Sequence, residues 1–266
     1  MRTERETFEM KILCLGDVTS PAASEYLSAR LWDLKKDTGA DFVVVNAENA
    51  GLIIGATPEE AERLLSSGAD CLTGGNHTLR NKAVYSYIDD SKRMLRPINF
   101  GGEAPGSGYT ILDCEGYRIL VISAMGNVGI EPTLDSPFEY IERVLAREEG
   151  RYDLSVLDIH AEATGEKLAL AYAFDGRINI IFGTHTHVPT ADEQVLPLGT
   201  GYITDVGMCG EGGGILGMDA DTVVKRMRTH LPIPFKTAGG EVVIQGALFD
   251  VDADSGIVKS VSRVKF

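Results

Sequence analysis

The chain is a succession of short apolar runs, each followed by a polar motif. Residues 12–15, 42–45, 69–72, 154–157 and 178–182 are such runs. Each is short, apolar and often β-branched, which predicts a buried strand. Residues 22–36 between the first two predict a helix, with Pro21 near its start. Residues 58–67 predict a second helix, with Thr57 as N-cap and Glu60 completing a capping box. Residues 81–90 predict a short third. This βαβαβα rhythm implies a largely parallel sheet with right-handed crossovers.

The middle of the chain is more β-rich. Residues 109–114 and 118–122 predict a hairpin across Glu115-Gly116. Helices are expected at 137–147, 163–174 and 219–229, the last with Asp219 as N-cap. A short strand is expected at 202–204, and a closing hairpin at 241–251 and 257–264. The pattern predicts an α/β protein of two packed sheets flanked by helices. No linker, repeat or low-complexity tract divides it, so residues 10–266 are expected to form a single domain behind a flexible extension, residues 1–9. In the 22–36 helix, Leu31, Trp32 and Leu34 are expected on the core face.

The polar ends of the runs carry the candidate chemistry. Four of the five histidines follow apolar runs: His77 in GGNH, His160 in DIHAE, and His185 and His187 in GTHTH. Two earlier runs end at Asp17 and at Glu48-Asn49, and Asn76 precedes His77. Sites form at the carboxyl ends of strands in open α/β sheets. A nitrogen- and oxygen-rich set without sulfur suits manganese, iron or zinc. Each residue alone also fits a plain reading, such as a loop histidine, a Gly-Asn turn or an acid near a helix start. The glycine-rich stretch 207–217 fits neither a P-loop nor a dinucleotide fingerprint. It is expected to be a mobile loop, at a rim or partner surface. Arg96-Pro97, Pro105-Gly106 and His230 are expected to be structural.

Composition narrows the ligand. The 266 residues include 39 acids against 25 bases, a net charge of −14, which disfavours long nucleic acid. Small phosphorylated ligands remain open, because bound metal ions reverse the local sign. Mean hydropathy is −0.02, and no apolar run reaches the ~20 residues of a membrane span. The opening MRTERETFE lacks the apolar core of a signal peptide. Cys14, Cys71, Cys114 and Cys209 are widely spaced and predict no disulfide framework. A reducing cytoplasm is the expected compartment.

The segments KILCLGDV, FVVVNAENA, GADCLTGGNHT, RPINF, PGSGY, DIHAEATGEK, DGRINIIFGTHTHVPTADE and GYITDVGM give a recognisable order. The chain resembles the calcineurin-like metallophosphoesterases, most closely a bacterial subfamily of dinuclear-metal cyclic-nucleotide phosphodiesterases. GNH and GTHTH are general to the superfamily; NAENA, HAEATGEK and THTHVPTADE are specific to the subfamily. The resemblance implies a four-layer αββα sandwich of two mixed β-sheets. It places Asp17, Glu48, Asn49 and His187 on one metal ion. Glu48, Asn76, His160 and His185 fall on the second, with Glu48 bridging and His77 as general acid. Two divalent ions, iron or manganese, are implied. Asp17-Val18-Thr19 replaces the superfamily's usual DxH, and Glu48 stands where an aspartate is usual. ENAGLIIGAT and GDVTSPAAS are less glycine-rich than the subfamily's loops.

Such a pair of ions sits ~3.5–4 Å apart and shares a hydroxide nucleophile. With Asp17 and Glu48 the cluster keeps a net positive charge, able to attract a phosphodiester despite the acidic surface. The expected substrate is a small 2′,3′-cyclic nucleotide, with 3′,5′-cyclic forms also in view. A phosphomonoesterase, a nuclease or a slow nucleotide-binding signalling protein are the alternatives. The sequence leaves room for a homo-oligomer.

Overall fold

The computed structural model describes residues 8–51 and 55–266. The first strand is β1 (Glu9–Leu15), followed by the short β2 (Asp17–Val18) and helix α1 (Pro21–Thr38). Strand β3 (Phe42–Asn46), α2 (Pro58–Ser66), β4 (Cys71–Thr73), a 3-10 turn at Lys82–Val84 and α3 (Tyr85–Asp90) complete the first half. Then come β5 (Tyr109–Cys114), β6 (Tyr117–Met125), α4 (Pro137–Arg147), β7 (Leu154–His160), α5 (Thr164–Ala173) and β8 (Ile180–Thr184). The chain closes with β9 (Gln194–Val195), β10 (Gly201–Ile203), β11 (Met208–Glu211), α6 (Ala220–Thr229), β12 (Val242–Asp252) and β13 (Val258–Lys265).

Two mixed sheets result. One runs β2-β11-β12-β1-β3-β4, with β13 on the other side of β12; the second runs β5-β6-β7-β8-β10-β9. In the first, β1, β3 and β4 are parallel, as the βαβ rhythm implies. The long β12 returns antiparallel to β1, pairing Cys14 with Ala247. In the second, β6, β7, β8 and β10 are parallel, and β5 closes the predicted hairpin.

Strand periodicity explains the layers. On β1 and β3, Leu13, Leu15, Val43 and Val45 face α1 and α2, where they meet Leu27, Leu31 and Leu64. The alternate residues Ile12, Cys14, Phe42 and Val44 pack against Val121, Val156 and Phe182 of the second sheet. The opposite face of that sheet, with Leu120, Leu157 and Ile181, covers Ile141, Leu145, Leu170 and Phe174 of α4, α5 and the turn after it. Strands buried on both faces read as continuous apolar runs rather than alternating ones. The expected αββα sandwich is therefore the observed one.

Four expectations need correction or restriction. The expected extension falls mostly on residues 1–7, outside the described residues. Glu9 itself pairs with Asp252 in β1, and the Phe8 ring stacks on Tyr117 with centroids 5.4 Å apart. Trp32 is 62% exposed while Leu31 and Leu34 are fully buried; its ring lies over Gly68, where an added Cβ would sit 3.3 Å from it. The stretch 207–217 is not simply a loop, because β11 occupies its first half, between β2 and β12. Glycine there permits close packing, since a Cβ on Gly210 would meet Thr19 Oγ1 at 2.1 Å. Part of ENAGLIIGAT, residues 52–54, lies outside the described residues.

Candidate metal centre

The sheets bring the expected residues to one edge, at the carboxyl ends of β1, β3, β4, β7 and β8. Gly16 lets the chain turn there, because a Cβ on it would overlap Gly207 O at 1.9 Å. Asp17 follows, fully buried. Its Oδ2 accepts from the His185 backbone N–H at 3.0 Å. Its Oδ1 has no hydrogen-bond partner among the described residues, yet lies 3.7 Å from His160 Nδ1 and 3.8 Å from His187 Nε2. Burial raises the Asp17 pKa, against the pull of His160.

Glu48, 1% exposed, sits at the centre. Oε1 accepts from Asn49 Nδ2 at 2.8 Å, and Oε2 accepts from the His77 backbone N–H at 3.1 Å. Oε2 is also 3.3 Å from His160 Nε2. Gly75 makes this possible, since a Cβ on it would lie 2.2 Å from Glu48 Oε2 and 2.4 Å from His160 Nε2. Asn76 Oδ1 is 3.1 Å from that same Nε2.

The histidine tautomers can be read from their partners. Thr184 Oγ1 donates to Asp158 Oδ1 at 2.8 Å, so its oxygen must accept from His160 Nδ1 at 2.9 Å. That fixes the proton on Nδ1 of neutral His160 and leaves a lone pair on Nε2. His185 Nε2 lies 3.2 Å from Glu162 Oε2; donation there leaves a lone pair on Nδ1. The two lone pairs face each other at 3.1 Å, beside the carboxylate Oε2 of Glu48. Three electron-rich atoms converging in a buried site repel unless a cation lies among them.

A proton serves in the metal-free protein. Burial alone would lower the His160 pKa, but Glu48, Asp17 and Asp158 around it raise it to about 9. Burial and the His160 charge together push His185 down to about 3. Glu48 is driven well below the carboxylate range: burial works the other way, and the charges of His160 and His77 prevail. A divalent ion satisfies the same convergence with larger charge. One oxygen or nitrogen from each of Glu48, His160 and His185 lies within 4.8 Å of the others. The orphaned Asp17 Oδ1, beside His187, adds a second demand for positive charge. The residues present therefore fit a cluster of hard or borderline ions.

Asn49 and His77 form the outer side. Asn49 Oδ1 contacts His77 Nδ1 at 2.8 Å, and Glu48 Oε1 is 3.3 Å from the same nitrogen. His77 is half-buried. Of its ring nitrogens only Nδ1 has a hydrogen-bond partner among the described residues.

Behind the cluster lies a layer for which the sequence alone gave no role. Asp158 is fully buried and accepts from Asn46, Thr73 and Thr184; burial, only partly offset by these bonds, raises its pKa to about 6. Lys167, also fully buried, donates to Thr184 O at 2.7 Å and Asp205 Oδ2 at 2.8 Å. That Asp205 oxygen also accepts from Thr186 N and Oγ1. The loop between the two histidines is thus clamped where His185 and His187 adopt positive φ, 98° and 63°. Such backbone costs on the order of 1–3 kcal/mol per residue and persists only where surroundings enforce it. An acid within LSVLDIH and a lysine within HAEATGEK were the available signals.

The profile described as YmdB-like protein matches residues 13–264. The chain is 40% identical over 255 residues to a Bacillus subtilis (strain 168) protein named 2′,3′-cyclic-nucleotide 2′-phosphodiesterase, covering 96% of each. The crystal structure of a hypothetical protein from Thermus thermophilus superposes with a TM-score of 0.88 at 35% identity, covering 97% of this chain and 99% of that one. A Mycoplasma pneumoniae structure described as a novel phosphatase superposes with a TM-score of 0.90 at 31% identity, covering 98% and 94%.

Proposed function

The chain belongs to the YmdB-like protein family, and from that membership we propose that it is a metal-dependent phosphodiesterase of small cyclic nucleotides. The substrates are 2′,3′-cyclic and, as an extension, 3′,5′-cyclic forms. The observation that carries the reading is the buried convergence of Glu48 Oε2, His160 Nε2, His185 Nδ1 and Asn76 Oδ1, which demands a cation.

Asp17, Glu48, Asn49 and His187 hold one divalent ion in this reading. Glu48, Asn76, His160 and His185 hold the other, and the ions are iron or manganese. Asn49 Oδ1 has two lone pairs, so it can accept from His77 and still ligate. Bound there, two divalent ions supply Lewis acidity toward the phosphoryl group and a water nucleophile at neutral pH. The chain's own groups do the rest. Asp158 and Thr184 keep the His160 proton on Nδ1, so Nε2 stays available. Lys167 and Asp205 hold the GTHTH loop in register. His77, held through Nδ1 by Asn49, is free to deliver a proton from Nε2 to the departing ester oxygen.

A single domain that includes Phe8 and Glu9 and runs to residue 266, together with a cytoplasmic location, completes the reading. All four cysteines are free thiols, and no described helix is long and apolar enough to cross a membrane. The test is anaerobic incubation of the manganese- or iron-loaded protein with 2′,3′-cyclic AMP, with products separated by chromatography. Metal-dependent appearance of an AMP monoester is expected. Cleavage of p-nitrophenyl phosphate without cleavage of any cyclic diester would replace this reading with a phosphomonoesterase.

A further inference from the structure

A cavity of about 250 Å³ opens directly beside the metal centre, lined by Asn76, Leu79, Arg80, Phe100 and Pro132. A larger surface groove of about 420 Å³ on α6 shares no lining residue with the centre. The smaller cavity begins at Asn76, whose Oδ1 is already part of the cluster. Arg80 lies one turn past His77 and donates its backbone N–H to His77 O at 2.9 Å. The cavity therefore shares a wall with the phosphoryl site and a short chain segment with the proposed acid.

Its aromatic wall is pre-set. Phe100 ends a turn whose carbonyls are gathered by the buried Arg96: Pro97 O at 2.9 Å, Ile98 O at 3.4 Å and Phe100 O at 3.5 Å all accept from its Nη1. Asn99 ties the same turn to the strand end and loop that carry Pro132. Its Nδ2 donates to Met125 O at 2.8 Å and Asp135 O at 3.0 Å, and its Oδ1 accepts from Met125 N. Two of the segments that line the cavity are thus tied to each other through one side chain. Arg80 is exposed at the mouth, where a guanidinium plane can lie over a π face.

We propose that this cavity is the nucleobase subsite, in which the base of a cyclic nucleotide stacks on Phe100 with the Arg80 guanidinium over its other face. The proposal rests on the diesterase reading above. In a 2′,3′-cyclic nucleotide the phosphate is fused to the ribose, so the base lies only one sugar away from phosphorus. An apolar, aromatic cavity touching the phosphoryl site is where that base falls. Stacking on one ring binds every base through its π face, so the subsite contributes affinity for nucleosides as a class.

The experiment compares two manganese-loaded proteins, wild type and Phe100→Ala, on two substrates. One is 2′,3′-cyclic AMP; the other is glycerol 1,2-cyclic phosphate, which has the same strained five-membered diester ring but neither sugar ring nor base. The ratio of kcat/KM between them is expected to fall about tenfold or more in the variant, carried by KM. An unchanged ratio overturns the subsite. Phe100→Leu keeps apolar bulk without the ring and is expected to lower the ratio as well; a wild-type ratio in that variant counts against stacking. Equilibrium dialysis of AMP separates this proposal from the diesterase reading. If wild type cleaves neither diester, that reading fails, but weaker AMP binding by Phe100→Ala still supports the subsite, and equal binding overturns it.

Discussion

The two sides of the metal centre are built differently. On the second sheet, His160 and His185 stand on a fully buried polar layer, Asp158, Thr184, Lys167 and Asp205, in which the key donors are matched to acceptors. On the first sheet, Asp17 Oδ1 has no hydrogen-bond partner among the described residues, and Asn49 and His77 lean on Glu48 at a partly exposed rim. In the proposed reading, the contrast separates metal holding from proton delivery. Ligand nitrogens must keep one tautomer and one direction, which a buried satisfied network enforces. A proton donor must meet solvent and substrate, so it belongs at the rim. Glu48 is the hinge between the sides, touching both His160 and His77.

Removing the hinge should have the largest effect. Glu48→Ala is expected to lose bound metal and fall to background turnover together, as read by elemental analysis and the cyclic-AMP assay. Background turnover with full metal content would break the proposed central role. His77→Ala should show the rim's independence: metal content stays that of wild type while kcat drops by about 10²- to 10⁴-fold. Next comes the buried layer. Asp158→Asn should weaken metal affinity by about 10–100-fold, measured by competition with a chelator, because Thr184 loses its fixed acceptor and the His160 tautomer is no longer enforced. A variant with wild-type affinity would show that the layer supports the fold alone.

The smallest expected effect is in pH. The folded His160 pKa is raised to about 9, above the ~6.5 of an unfolded chain. Its proton therefore stabilises the metal-free protein fully below pH ~6.5, and that contribution fades as pH rises through about 9. Asp158, raised to about 6, has completed its titration over most of that window and adds little slope. Metal binding must displace the His160 proton, so affinity should instead grow with pH up to about 9. Thermal melts of metal-free and manganese-loaded protein across pH ~6.5–9 are expected to diverge in this direction. Parallel curves would mean that no proton occupies the ligand cluster.

Much of this was legible in the chain. The apolar runs marked β1, β3, β7 and β8, and the polar residues past their ends marked Asp17, Glu48, His160 and His185. Which layer each residue of these runs enters was not legible, because the runs are apolar throughout; the fold sends Leu13 and Cys14 to different layers. Non-local partners were invisible. β2 and β11 are two and four residues long, too short for a period, and exist because each pairs with a distant segment. Lys167 stands in the HAEATGEK motif, but its burial is not legible there; only the fold brings Asp205 to it. Trp32 has the sequence neighbours of a core residue, yet α1 buries Leu31 and Leu34 and turns Trp32 outward. The cavity beside Asn76 is likewise assembled from three separate segments.

The most direct test of the central claim is a paired measurement on anaerobically prepared wild type and His77→Ala: manganese bound per chain, and turnover of 2′,3′-cyclic AMP by the same samples. Two ions in both proteins, and turnover in His77→Ala about 10²- to 10⁴-fold below wild type, are expected. Two ions without turnover in wild type, or wild-type turnover in His77→Ala, would contradict the separation of metal holding from proton delivery.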